Sequence, residues 1–75
     1  MIYISHRGNV NGINESLENQ PDYIDTALQH GYQCEVDIWR VGKEIYLGHD
    51  EPIYLIPMKW LLARKWKLWV HCKNI

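Results

Sequence analysis

Two histidines, two carboxylates and an arginine in this sequence have the types and spacing that phosphate chemistry needs. His6 and Arg7 end an apolar run, Glu35 and Asp37 alternate within a second one, and His49 follows soon after. Histidine titrates near neutral pH, so it can take up and release a proton during catalysis. Paired carboxylates commonly bind divalent metals, and a guanidinium group matches the geometry of phosphate. Together these are the parts of a metal-assisted site that cleaves phosphodiesters.

Short apolar runs and helical patterns alternate along the chain and predict the elements that position these residues. We predict strands over 2–6, 33–41 and 67–73, helices over 21–30 and 57–65, and a hairpin arm over 44–48. Pro21 and Pro57 stand where helices are expected to begin, and Asn19 is expected to cap the first helix. The alternation of strands and helices favours an α/β fold with parallel strands and right-handed crossovers.

The parity of the strands predicts a polar face and an apolar face. Successive side chains on a strand point to opposite sides, so Glu35 and Asp37 should share one face. The residues expected behind them are apolar: Cys34, Val36 and Ile38. In the last strand the same parity places His71 and Lys73 on one face, so the polar groups of the strands are expected to converge.

The order of these motifs resembles that of the glycerophosphodiester phosphodiesterase family, which belongs to the phospholipase C-like phosphodiesterases. The family pattern runs HRG, EN, ExD, HD and ExK. The matching residues here are His6-Arg7-Gly8, Glu18-Asn19, Glu35-Val36-Asp37, His49-Asp50 and His71-Cys72-Lys73. The last match departs from the pattern, because His71 stands where the family has glutamate. Most members also carry a sizeable insertion after the HD motif, which this sequence lacks.

The resemblance implies a fold that is larger than this chain. The family forms a TIM-type β/α barrel, and such barrels need roughly 250 residues. A chain of 75 residues would supply the N-terminal part, about three βα units of parallel strands with a short hairpin extension after the second strand. We therefore expect residues 1–75 to be a single incomplete barrel domain. It should need the remainder of the barrel or self-association, because open sheet edges are left unpaired.

The resemblance also implies an activity, the hydrolysis of a glycerophosphodiester-like small molecule to glycerol phosphate and an alcohol in lipid metabolism. His6 and His49 would be the catalytic base and acid. The phosphate would be bound by Arg7 and Lys73. Glu18 and Asp50 would support the groups that contact the substrate or metal.

A divalent metal is the cofactor that the resemblance implies, with Glu35 and Asp37 as its ligands and His71 as an additional candidate. Carboxylate oxygens favour Mg²⁺ or Ca²⁺. An imidazole at position 71 would also suit Mn²⁺ or Zn²⁺. The alternative for the two carboxylates is structural, as ion pairs with Arg7, Arg40 or Lys73.

The composition is that of an ordinary packed domain, with 47% hydrophobic and 23% charged residues. A net charge of −1 argues against a general nucleic-acid binder, and no apolar run approaches the roughly 18 residues of a stable membrane insertion. Two cysteines do not make a disulfide framework, so we expect a cytoplasmic protein.

Two other functions remain open from the sequence. One is a non-catalytic barrel fragment in which His71 marks the loss of the metal. The other is a binding module for a membrane surface or nucleic acid, because cations and aromatic residues interleave at Lys59-Trp60 and from Arg64 to Trp69.

Overall fold

The computed structural model describes residues 2–74 and contains five strands and two short helices. In chain order they are β1 (Ile4–His6), α1 (Pro21–Gln29), β2 (Gln33–Val41), β3 (Glu44–Leu47), β4 (Tyr54–Ile56), α2 (Met58–Ala63) and β5 (Leu68–Cys72). Strand β4 was not predicted, because the short apolar segment between Pro52 and Pro57 has no clear strand pattern. Its pairing with β3 makes it a strand.

The sheet is mixed, so the prediction of an N-terminal part of a parallel β/α barrel is wrong. Strand β2 pairs in parallel with β1 and β5, but β3 runs antiparallel to β2, and β4 runs antiparallel to β3. The physical reason is the turn at Gly42, whose φ of +62° lets the chain reverse directly after β2. β3 then returns along β2, and β4 continues the sheet beyond it, where a barrel would have a crossover helix.

The hydrophobic core lies between α1 and the apolar face of the sheet. Its buried members are Ile24, Ala27, Cys34, Val36, Ile38, Leu47 and Ile56. Ile24 and Ala27 come from one side of α1, three residues apart, as an amphipathic helix requires. The predicted apolar face of β2 is confirmed, since the residues at positions 34, 36 and 38 are all in this core.

Helix α1 begins at Pro21 without a capping side chain. Gln20 occupies the N-cap position and makes no side-chain hydrogen bond to the first turn. Asn19 lies one residue earlier with a φ of +65°, and its side chain points to the sheet. The prediction that Asn19 caps the helix is wrong, because this side chain has a more distant partner on β2.

Candidate functional site

A buried carboxylate, Asp37 of β2, is the centre of the candidate site. Its side chain is completely buried, and four polar groups surround it. Arg7 Nε lies 2.9 Å from Oδ2 in an ion pair, at an angle that does not make a hydrogen bond. The His71 ring contacts Oδ1 through Nδ1 at 3.2 Å, and His49 Nδ1 lies 3.6 Å from Oδ2. Predicted site residues from the loop after β1, from β5 and from the loop after β3 thus meet at one carboxylate of β2.

Asn19 is the fourth partner of Asp37, and it bonds to both the side chain and the backbone of that residue. The Asn19 amide nitrogen donates to Asp37 Oδ2 at 2.9 Å, and Asp37 N donates to Asn19 Oδ1 at 2.9 Å. Asn19 is itself completely buried, and asparagine tolerates the left-handed backbone better than most residues. This role could not be read from spacing, since the partners are 18 residues apart; the Glu18-Asn19 pair was the only available signal.

These contacts keep Asp37 ionised despite its burial. Burial on its own acts to raise the pKa of the carboxyl, because it disfavours the charged form. The Asn19 hydrogen bond and the charges of Arg7, Lys73 and His49 outweigh that effect, so the pKa of Asp37 lies below its ordinary range. The site therefore holds a fixed negative charge at neutral pH.

The loop after β1 places Arg7 against Asp37. Arg7 has a φ of +57° and Gly8 a φ of +90°, and a Cβ on Gly8 would lie 2.8 Å from the Tyr23 ring. Only glycine fits this approach to α1 without displacement. The loop is tied to the sheet by the backbone, since Arg7 N donates to Glu35 O at 2.8 Å and Asn19 N donates to Arg7 O at 3.0 Å.

Glu18 holds the other end of the Arg7 guanidinium. Arg7 Nη1 donates to Glu18 Oε1 at 3.1 Å, and the Asn9 amide donates to Oε2 at 2.7 Å. Burial acts to raise the pKa of Glu18, but the Asn9 and Arg7 hydrogen bonds and the nearby charges hold that pKa below its ordinary value of 4.5. Asn9, which also accepts a hydrogen bond from the Tyr23 hydroxyl, was missed in the sequence, because nothing distinguished it within an Asn- and Gly-rich loop.

His6 and Glu35 form a second pair beside the Asp37 cluster. They are register partners of β1 and β2, and His6 Nε2 lies 3.1 Å from Glu35 Oε1. Their side chains are 52% and 38% exposed, so both can reach solvent or a ligand. Glu35 and Asp37 share a face of β2, as predicted, yet they differ sharply in burial.

His49 enters the site from the loop after β3. Gly48 N donates to Asp37 O at 3.1 Å, and Gly48 O accepts from Trp39 Nε1 at 2.7 Å, so the preceding backbone is fixed. His49 Nδ1 is buried without a hydrogen-bond partner. Its Nε2 lies 3.5 Å from Asp50, a carboxylate that is 92% exposed and therefore binds this ring weakly.

His71 and Lys73 approach from β5. His71 is the register partner of Asp37, which explains their contact. Lys73 follows the end of the strand, and its backbone N donates to Ile38 O at 2.8 Å. Its charge is among those that lower the pKa of Asp37, so it belongs to the electrostatic environment of the site.

Arg7 lines two clefts. One, of about 390 Å³, is lined by Arg7, His49, Tyr54 and the carboxylates Glu15, Glu18, Asp50 and Glu51. The other, of about 450 Å³, is lined by His6, Arg7, Glu35, Trp69 and His71. The two histidines predicted to be catalytic therefore line different clefts, and Arg7 lines both.

The side chains of Glu35 and Asp37 would both have to rearrange before they could bind a divalent metal together with His71. Within residues 2–74, no three His, Cys, Asp or Glu side chains are already gathered as a metal cage, because Glu35 faces His6. Asp37 Oδ1 contacts the His71 ring alone, and both His71 and Glu35 line the same cleft. A cation entering that cleft would meet the His71 imidazole and the Glu35 carboxylate, whereas the completely buried Asp37 is not among the residues that line it. An imidazole with carboxylate oxygens suits Mn²⁺ or Zn²⁺ as well as Mg²⁺.

Comparison with known proteins adds no identity: no protein-family model, no curated protein and no solved structure matches this chain. Among the described residues, neither helix has the length and apolar character needed to cross a bilayer. The function must therefore be argued from the site.

Proposed function

We propose that this protein is a metal-dependent phosphodiester hydrolase that converts a glycerophosphodiester-like small molecule to glycerol phosphate and an alcohol. The observation that carries the proposal is the set of contacts around Asp37, which joins Arg7, His49 and His71 at one buried carboxylate. The motif order that resembles the glycerophosphodiester phosphodiesterases supports the same reaction.

The charges of the site support a requirement for a metal. Arg7 and Lys73 bring two positive charges, against three carboxylates at Glu18, Glu35 and Asp37. An anionic phosphodiester would meet net repulsion there unless positive charge were added. A divalent metal held by Glu35, Asp37 and His71 would supply that charge and would stabilise the phosphoryl oxygens as a Lewis acid.

Arg7 is built to hold the phosphoryl group in a fixed orientation. Its Nε faces Asp37 and its Nη1 is bound to Glu18, so two carboxylates set the plane of the guanidinium. The side chain is only 16% exposed, yet it lines both clefts. Donors fixed before the substrate arrives stabilise developing charge without reorganisation.

The two imidazoles line the two clefts that share Arg7, and each has a ring nitrogen that could move a proton. Glu35 engages His6 Nε2, which leaves Nδ1 for the substrate. His49 Nδ1 faces Asp37, which leaves Nε2 for the substrate beside the weakly held Asp50. One histidine would take the proton of a neighbouring glycerol hydroxyl as its oxygen attacks phosphorus, and the other would protonate the departing alkoxide. Water then opens the cyclic phosphate, with the two roles exchanged.

We further propose that the enzyme works in the cytoplasm. Both of its cysteines are free, and Cys72 is exposed. An exposed thiol persists in a reducing compartment.

Hydrolysis of glycerophosphodiesters by the purified chain, with Mg²⁺, Ca²⁺, Mn²⁺ or Zn²⁺ added, tests the proposal. His6→Ala and His49→Ala should each lower kcat/KM by at least about 10²-fold. His30→Ala is the matched control, because His30 follows α1 outside the site, and it should retain the wild-type rate. Equal rates for all three variants, or no turnover by the folded chain with any of the metals, would contradict the proposal.

A further inference from the structure

Positive and negative charges are segregated along this chain. The sequence has nine Asp and Glu residues, and every one of them precedes Pro52. Five of the eight Lys and Arg residues follow it: Lys59, Arg64, Lys65, Lys67 and Lys73. The near-neutral net charge thus conceals a wholly basic C-terminal third.

Three of these cations have no carboxylate partner in the described part of the chain. Arg64 is neutralised by Asp25 through two hydrogen bonds of 2.6 and 3.0 Å, and Lys73 lies near Asp37. By contrast, Lys59, Lys65 and Lys67 make no salt bridge to any carboxylate within residues 2–74. Their charge is available to an external partner.

Three large apolar side chains are exposed in the same stretch of chain as these lysines. Met58 and Leu62 are four residues apart on α2, hence on one side of the helix, and they are 51% and 54% exposed. Trp66 follows in the turn after α2 and is 84% exposed, with Lys65 Nζ 5.3 Å from its ring. Helix α2 has no fully buried residue, so this side of it is not used by the core.

We propose that the ridge formed by Met58, Leu62 and Trp66, with Lys59, Lys65 and Lys67 around it, docks the protein on an anionic phospholipid surface. Aliphatic and tryptophan side chains enter the boundary between headgroups and acyl chains, while lysines reach the anionic headgroups. Single-stranded nucleic acid fits less well, because it would use the tryptophan for stacking but offers no apolar phase to Met58 and Leu62.

Docking by this surface would leave the candidate site open to water. Trp66 precedes β5, whereas His71 and Lys73 lie at the far end of that strand, and five strand residues span roughly 15 Å. The protein would be held at the membrane while its clefts receive a soluble substrate. This inference is independent of the proposed hydrolysis.

Vesicle co-sedimentation of the intact chain tests the docking. Vesicles of phosphatidylcholine containing about one-third phosphatidylserine should bind the chain, with an affinity that falls as salt is raised. Each of Lys59→Gln, Lys65→Gln and Lys67→Gln should weaken binding about fivefold, and Leu62→Ser or Trp66→Ser about tenfold. Ile13→Ser is the matched apolar control, since Ile13 is 81% exposed in the acidic part of the chain, and it should bind as wild type.

Three results would overturn the proposal. The first is that the wild-type chain binds equally to vesicles with and without phosphatidylserine, or binds to neither. Circular dichroism establishes that the wild type and the variants compared are folded. The second is tight binding of a single-stranded oligonucleotide that depends on Trp66 but not on Leu62. The third is a stable dimer in solution that Leu62→Ser and Trp66→Ser dissociate, because the ridge would then be a contact between two copies.

Discussion

The polar groups around β2 and the apolar groups of α2 and β5 differ in burial, in the opposite sense to what their polarity predicts. Asp37 and Asn19 are completely buried and satisfy one another with two hydrogen bonds. In α2 and β5, large apolar side chains such as Leu62 and Val70 are 54% and 46% exposed. The fold therefore buries a polar network and leaves large hydrophobic side chains exposed, and the two proposals made above, a catalytic site and a docking surface, each rest on one of these regions.

Removing the centre of the buried network should have the largest effect on stability. Asp37→Ala leaves Arg7 Nε and the amide nitrogen of Asn19 without their carboxylate partner, and breaking a buried ion pair in this way costs about 3–5 kcal/mol. Urea unfolding followed by circular dichroism measures the change. Asp50→Ala, which removes a 92% exposed carboxylate, should stay within about 0.5 kcal/mol. Similar losses for the two variants would show that the Asp37 contacts do not stabilise the fold.

A matched pair of apolar truncations sharpens the comparison between core and ridge. Ile24→Ala removes a fully buried side chain from the core, so the free energy of unfolding should fall by about 2–5 kcal/mol. Leu62→Ala removes a half-exposed one and should change it by less than about 0.5 kcal/mol. A large loss for Leu62→Ala, measured in the same urea titration, would mean that α2 packs more tightly than its exposure indicates.

A smaller effect concerns the pH dependence of stability. The folded-state pKa of Glu18 is lowered from 4.5, so its contribution is present above that value and is lost as pH falls through the folded pKa. Glu18→Gln should therefore be less stable than wild type at pH 7 and should lose less stability on acidification. Asp37 adds to the acid sensitivity in the same direction and remains in the variant. If the free energies of unfolding of wild type and Glu18→Gln fall in parallel below pH 5, Glu18 does not contribute to the acid sensitivity.

Metal binding tests whether Glu35 acts as a metal ligand together with Asp37 or only as the ion-pair partner of His6. Isothermal titration calorimetry should show saturable binding of a divalent metal to wild type and a loss of at least about tenfold in affinity for Glu35→Gln. The exposed Glu44→Gln serves as the control. Unchanged affinity in Glu35→Gln would leave Glu35 as the partner of His6 alone.

The sequence predicted those features that depend on local pattern. The alternation of β2 placed Val36 in the core and Glu35 with Asp37 on the other face, because strand parity needs only neighbouring residues. Strand β4 is only three residues long and was recognised only from its pairing with β3, which places Ile56 in the core and leaves Leu55 exposed. The error in fold class arose in the same part of the chain, from Gly42 to β4. The hairpin after Gly42 was expected to be a short extension of a parallel sheet, but β3 and β4 both belong to the sheet as antiparallel strands.

The contacts of the site were only partly predictable. The resemblance predicted His6, Arg7, Asp37 and His49 as one set. The structure brings Arg7 and His49 to Asp37, whereas His6 pairs with Glu35 beside that cluster. Asn19 and Asn9 were not predicted as partners, since each bonds to a carboxylate nine or more residues away. Spacing along a sequence carries no information about loops that fold back onto a sheet.

The most direct test of the central claim, that the Asp37 cluster is a phosphodiesterase site, is ³¹P nuclear magnetic resonance of a glycerophosphodiester incubated with the folded chain and a divalent metal. The account predicts that the diester signal is replaced by that of glycerol phosphate, through a transient cyclic phosphate, and that His49→Ala slows this change. A diester signal that stays unchanged with every metal, or that decays equally with His49→Ala, would contradict the claim.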